Sequence, residues 1–189
     1  VAWFLHKSIP LVVFVVVALL LILNLGYWTE MLETFVLVLA ATMLSVIIGI
    51  PIGILAAHKP WVYTFLRPVL DLMQTIPTFV YLIPTLVLFG LGVVPGLIST
   101  IIFAIAAPIR LTYLGISRVQ EDLLEAGRAF GATHFKLLYK VELPAAMPNI
   151  MAGITQCIML SLSMVVIAAM VGAAGLGKPV IRALNTVNN

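Results

Sequence analysis

The sequence predicts an all-α membrane protein, a polytopic bundle of apolar helices, and three observations carry that prediction. Of its 189 residues, 63% are hydrophobic and only 9% charged, where a soluble domain has about 45–50% and about 25%. The mean hydropathy is +1.22. Uncharged stretches also recur at lengths that match or exceed the ~20 residues a helix needs to cross the hydrocarbon core. A single transmembrane domain, solvated largely by lipid, follows. The formal charge of +3 comes without a basic stripe interleaved with aromatics, so no nucleic-acid partner is expected. The single cysteine, Cys157, sits in an apolar run and reads as a small buried hydrophobe; it can build neither a disulfide framework nor a thiolate metal site within this chain.

The first expected span covers residues 9–27, with Lys7 before it and Tyr27 and Trp28 at the interfacial belt. No small-residue cleavage site follows, so it reads as a span rather than a signal peptide. Because the chain begins at Val1, the natural N-terminus is expected to lie upstream. The second span covers 33–57, its end softened by Gly49, Pro51 and Gly53. Residues 72–109 carry no charge and, at about 1.5 Å per residue, exceed one membrane thickness. The turn-rich GLGVVPG at 90–96 divides this region into spans over 70–89 and 97–115. The fifth span, 148–171, enters at Pro148 and loses helicity at GAAGLG, residues 172–177.

With the N-terminus in the cytoplasm, Lys7, Lys59, Arg67, Arg110, Arg118, Arg128, Lys136 and Lys140 fall inside. Glu30 and Glu33 fall outside, as do Lys178 and Arg182. Eight of the ten Lys and Arg are then cytoplasmic, as the positive-inside rule requires, and so is the loop 117–147.

Within that loop lies EAGRAFGATHFKLLYKVELP, residues 125–144, a charged island in an apolar chain. Leu123, Leu124, Ala126 and Phe130 share one helical face, with charges opposite. Gly131 suits a helix C-cap. Thr133 can cap a second short helix whose apolar residues are Phe135, Leu137, Leu138 and Val141, and Pro144 is expected to stop it. On amphipathicity alone, a helix pair lying on lipid is the commoner account, with a protein-docking element as its rival.

The spacing favours the rival. Glu125 and Ala126, then Gly131 six residues after the Glu, then Leu143 and Pro144, resemble the EAA loop of binding-protein-dependent ABC importer permeases. Gly127 departs from the family's usual second alanine, exchanging one small residue for another. RPVLDLMQTIPTFVYLIP (67–84), GVVPGLISTIIFA (92–104), IRLTYLGI (109–116) and IMAGITQCIMLSLSMVVIAAMVGAAGLG (150–177) are similar to the osmoprotectant branch of that family, the permeases for glycine betaine, proline betaine or choline. The resemblance implies the type I (MetI-like) permease fold, usually with a further span after the GLG segment that this chain is expected to lack. It implies Glu125, Ala126, Gly127, Gly131, Leu143 and Pro144 as the coupling site for a cytoplasmic ATPase dimer. It also implies an extracytoplasmic binding protein or fused binding domain, a second permease copy around the path, and a bacterial or archaeal cytoplasmic membrane.

No nucleotide site is visible: GxxxxGK[ST] is absent. No cofactor is expected in this chain, ATP being bound by the partner, and the chain is not expected to be an enzyme. His6, His58 and His134 are scattered and read as surface histidines, and no metal set is found. For the translocation path the candidates are Gln74, Thr75, Ser161 and Ser163, polar groups that interhelical hydrogen bonding explains as well. Phe79 and Tyr81 join them as aromatic faces for a quaternary ammonium, with packing as the plainer account. Within transport, histidine or another small amino acid is the alternative cargo. A channel or secondary transporter would normally show ionisable residues within its spans, and a purely structural subunit leaves the spacing of the loop unexplained.

Overall fold

A computed structural model of the chain describes residues 9–187. These fold as helices, labelled here in chain order: α1 Ile9–Asn24, α2 Trp28–His58, α3 Pro60–Thr75, α4 Thr78–Phe89, α5 Val93–Ala104, α6 Ala106–Ser117, α7 Glu121–Ala129, α8 His134–Leu137, α9 Leu143–Ala169 and α10 Gly177–Val187. The all-α class is thus seen directly. Lys7 and His6 lie outside the described residues.

Among the described residues, three helical stretches are long and apolar enough to cross a membrane: α2, the 25 residues of α5 running on into α6, and the 36 residues from His134 to Ala169. Lipid offers no hydrogen-bond partners to a bare backbone, so long helices that satisfy themselves are the expected solution. Helix α1, apolar over the 16 residues Ile9–Asn24, buries none of them against the rest of the described chain.

The segment expected as one span over 70–89 is instead broken, and α3 and α4 meet at 99°. Counting that pair as one crossing gives up to four such stretches among the described residues, by length and composition alone. The cause is local. Pro77 lacks an amide hydrogen and crowds the residue before it out of the α region, and Ile76 is accordingly extended at φ −68°, ψ 131°.

A second expectation fails at Pro144. The helix does not stop there but runs from α8 through to Ala169. Leu138–Glu142 forms a π-helical turn immediately before the proline, and the Leu143 amide donates back to the Leu138 carbonyl. A proline continuing a regular α-helix would drive its ring into the carbonyl four residues earlier. The wider π turn re-routes the hydrogen bonds just upstream, so the helix passes through. Pro148 likewise lies inside α9, and Pro51 inside α2.

At the centre, α9 packs along α6, and α2 packs along α6 as well, with α5 contacting both α2 and α9. Small residues allow the approach, as between membrane helices generally. Gly49 and Gly53 do not soften α2, which continues to His58. A Cβ on Gly53 would lie 2.7 Å from the Ile109 carbonyl oxygen and 2.7 Å from Thr112 Cβ, whereas one on Gly153 would meet Leu111 Cβ at 3.1 Å. Overpacking of a close backbone contact costs about 1–3 kcal/mol. Gly53→Ala is therefore expected to lower the thermal midpoint of the detergent-purified protein clearly more than Gly153→Ala; equal shifts would contradict the close α2–α6 approach.

Candidate functional site: the island and its anchors

The island opens with α7, a nine-residue helix carrying Glu121 and Asp122 in its first turn and Arg128 in its last, charges that suit the helix dipole at both ends. It closes at a complete Schellman turn. The Ala132 amide donates to the Gly127 carbonyl (3.1 Å), and the Gly131 amide to the Arg128 carbonyl (2.9 Å). Gly131 holds φ +74°, a left-handed conformation that costs an L-residue roughly 1–2 kcal/mol. Thr133 then caps α8, its side chain accepting from the Lys136 amide.

Gly127 has a packing role inside the island, because a Cβ there would lie 2.6 Å from Leu137 Cδ1. Leu137 is buried beneath it, so an alanine here would require the end of that leucine to shift. Glu125 and Ala126 lie on the exposed side of α7. Leu143 and Pro144 line an apolar groove of about 520 Å³ with Tyr139 and Met147. The island's apolar residues are buried only in part, Leu137 being covered. Phe130 is 92% exposed, Phe135 77% and Tyr139 67%, with Leu123 also exposed. Three exposed aromatics within ten residues of one island are candidates for an interaction surface.

Two contacts that sequence reasoning missed tie this region to the rest. Glu142, in the π turn, is only 7% exposed, and its Oε2 lies 2.9 Å from His58 Nε2 at the last residue of α2. The approach is at ion-pair distance without the alignment of a hydrogen bond, while His58 Nδ1 sits 2.9 Å from the Ile54 carbonyl. The available signal was that Glu142 is the last carboxylate in the chain, one residue ahead of a long uncharged run. The second contact joins α6 to α3: the Arg110 guanidinium pairs with Asp71 and donates to Gln74 Oε1 at 2.9 Å. Arg67, one turn before Asp71, reaches the same carboxylate at 4.0 Å. Arg110 lies two turns short of Ser117, after which the chain leads into α7.

The six residues considered for a path lie on three helices, α3, α4 and α9. Gln74 and Thr75 stand at the end of α3, one bonded to Arg110 and the other, exposed, to the Leu72 carbonyl at 3.1 Å. Phe79 is exposed on α4. Tyr81 donates to the Met73 carbonyl at 2.6 Å and tilts against Phe103, spanning the bend between α3 and α4. Ser161 is fully buried and approaches Thr42 of α2 at 3.5 Å, whereas Ser163 is exposed and bonds its own helix at Met159. Gln74, Tyr81 and Ser161 thus spend their polar groups on holding elements together.

Removing one partner of a buried charge leaves the other uncompensated. His58→Ala is expected to lower the thermal stability of the purified protein more than Glu142→Gln does. The double variant should be less unstable than the sum of the two, as for residues in contact. Strict additivity would show that the pair contributes nothing.

Residues 49–189 match the model of the family described as binding-protein-dependent transport system inner membrane component. The glycine betaine transport system permease protein OpuAB of Bacillus subtilis (strain 168) is 52% identical over 182 residues, 96% of this chain and 64% of that protein. The glycine betaine/proline betaine transport system permease protein ProW of Escherichia coli (strain K12) is 50% identical over 172 residues, 91% of this chain and 49% of that protein. The chain therefore spans less than two thirds of the length of these relatives. Among solved structures, a chain of the MetNI methionine ABC transporter in inward-facing conformations superposes with a TM-score of 0.72 at 23% identity, covering 80% of this chain and 77% of that one. At that identity the likeness is one of fold.

Proposed function

Since the chain belongs to the family of binding-protein-dependent transport system inner membrane components, we propose that it is the permease part of an ATP-driven importer for a quaternary ammonium osmoprotectant such as glycine betaine. The observation that carries the proposal is the island: short helices that leave Phe130, Phe135 and Tyr139 exposed and run without a break from His134 into α9. In this reading the island faces the cytoplasm and Phe130, Phe135 and Tyr139 insert into a groove of a separate ATPase. That partner binds and hydrolyses the ATP, and an extracytoplasmic binding protein or fused domain delivers the solute. A second permease copy completes the path.

The mechanical logic follows from the connections. Force applied to α7 reaches the spans by two routes. One runs through α8 and the π turn into α9, with Glu142 engaging α2 at His58. The other runs back through Ser117 into α6, where Arg110 grips Asp71 and Gln74 beside the bent α3–α4 pair. Coupling requires a two-state element that ligands at both ends bias, and the bend is the element of this chain best suited to change its angle. Gly131 sets the angle between α7 and α8. Glu125 and Ala126 present the polar and small surface beside the aromatics, and Leu143 with Pro144 lies where the island becomes a span. The names of the relatives support betaine as cargo; histidine or another small amino acid is the alternative.

The test uses the full-length protein in lipid vesicles with its ATPase and binding protein, with hydrolysis and uptake measured together. Hydrolysis should rise with betaine-loaded binding protein. Gly131→Leu should leave the membrane fold intact and break the link between hydrolysis and uptake. Normal uptake by that variant at matched expression would contradict the coupling role. An ATPase that fails to associate would return the island to a lipid-surface helix, and association without a response to betaine would move the search to another solute. Phe130→Ala should weaken ATPase association by about tenfold or more, the loss typical of a buried aromatic anchor.

A further inference from the structure

The charges furthest from the island meet in one place. Glu30 and Glu33 stand one turn apart on the first turns of α2, and Lys178 and Arg182 one turn apart on α10. Together with Tyr27 they line a cleft of about 430 Å³, within the size range of small-ligand sites. At about 1.5 Å per residue, the 31 residues of α2 put this cleft some 45 Å from His58 and the island. The cleft therefore sits at the opposite end of the molecule, where the solute enters under the proposed function.

The opposed charges have not collapsed onto one another. The ion pairs formed among the described residues are His58–Glu142, Arg67–Asp71 and Arg110–Asp71, so both carboxylates and both cations of the cleft are held apart. Glu30 Oε2 is shielded from solvent and has no hydrogen-bond partner. The separation is fixed by the backbone. The Leu176 amide donates to Thr34 Oγ1 at 2.8 Å, and that hydroxyl donates to the Glu30 carbonyl at 2.9 Å. Gly175 holds φ +122°, and a Cβ there would lie 2.5 Å from Thr34 Oγ1, so the start of α10 is pinned against the first turns of α2.

We propose that this cleft is a receiving site for a small zwitterion bearing a quaternary ammonium and a carboxylate, a proposal that rests on the reading of the chain as a betaine importer. A methylated ammonium has no N–H to donate. It is held by charge and by aromatic faces, here Glu30, Glu33 and the half-exposed ring of Tyr27. The carboxylate end lies against Arg182, whose guanidinium can hold it through two hydrogen bonds, and against Lys178. A lone cation or a lone anion satisfies only one pole of the cleft and leaves the other unpaired.

The test measures equilibrium binding of radiolabelled glycine betaine to the full-length permease with its ATPase in lipid nanodiscs, without binding protein. ATP hydrolysis with loaded binding protein and betaine uptake in vesicles are followed in parallel. The unaltered complex should bind betaine saturably. Glu30→Gln and Arg182→Gln should each weaken binding about tenfold or more, as expected on losing a hydrogen bond or contact to a charged group. Glu33→Gln and Lys178→Gln, both at exposed positions, give the same readout if the first pair misfolds. Tetramethylammonium and acetate should compete far less well than betaine. Variants that bind as the unaltered complex does, or an importing complex with no saturable binding, would overturn the proposal. Variants that lose only the stimulation by loaded binding protein, with betaine binding intact, would also overturn it and make the cleft a docking surface. Saturable, charge-dependent binding by a complex that neither responds with hydrolysis nor imports betaine would uphold the cleft and defeat the importer reading.

Discussion

A single buried carboxylate fixes how the island meets the rest of the molecule. Glu142 sits where the helix widens before Pro144 and is shielded almost completely from solvent, and it lies at ion-pair distance from His58. A carboxylate taken out of water costs several kcal/mol unless a partner compensates, so the end of α2 and the base of α9 are held in register. The π turn serves the same junction. It brings Glu142 inward and carries the helix past a proline, making one continuous rod from His134 to Ala169. Without that continuity the island would hang from the spans by flexible loops, and force applied to it would be absorbed locally.

Helix α2 then becomes a ruler through the protein. Its last residue touches the island, its middle packs on α6 through glycines, and its first turns carry Glu30, Glu33 and the Thr34 hydroxyl that pins the loop before α10. The bent α3–α4 pair lies beside it, attached by Arg110 through Asp71 and Gln74. Of the chain's few charges, Glu142, Asp71 and Arg110 stand at junctions between elements.

Much of this was legible in the sequence, and the failures are instructive. Apolar run length identified a helical membrane protein, and Gly131 and Thr133 foretold the turn and the cap because both signals are local. Ile76–Pro77 was a local signal too, but the apolar character of 70–89 outweighed it, and a broken pair was read as one span. At Pro144 the rule that proline ends a helix was overridden by the π turn, which leaves no residue-level signature. Gly49 and Gly53 suggested softness where the structure uses them for close packing, a distinction set by the facing helix. His58, read as a surface histidine, is exposed as expected; what carried no local signal was its contact with Glu142, 84 positions away. The path candidates are dispersed because polar side chains within spans serve helix packing as readily as solute contact.

The central claim is that island and spans move as one body. Its most direct measurement places spin labels at Asp122, exposed on α7 away from the aromatic anchors, and at exposed Met151, with buried Cys157 replaced. The distance between them would be compared in the nucleotide-free and ATP-trapped complex of permease and ATPase. A single narrow distribution, unchanged between the two states, is the expected result. A broad distribution, or one that shifts with nucleotide, would mean that the island hinges on the spans and that Glu142 and the π turn do not lock the junction.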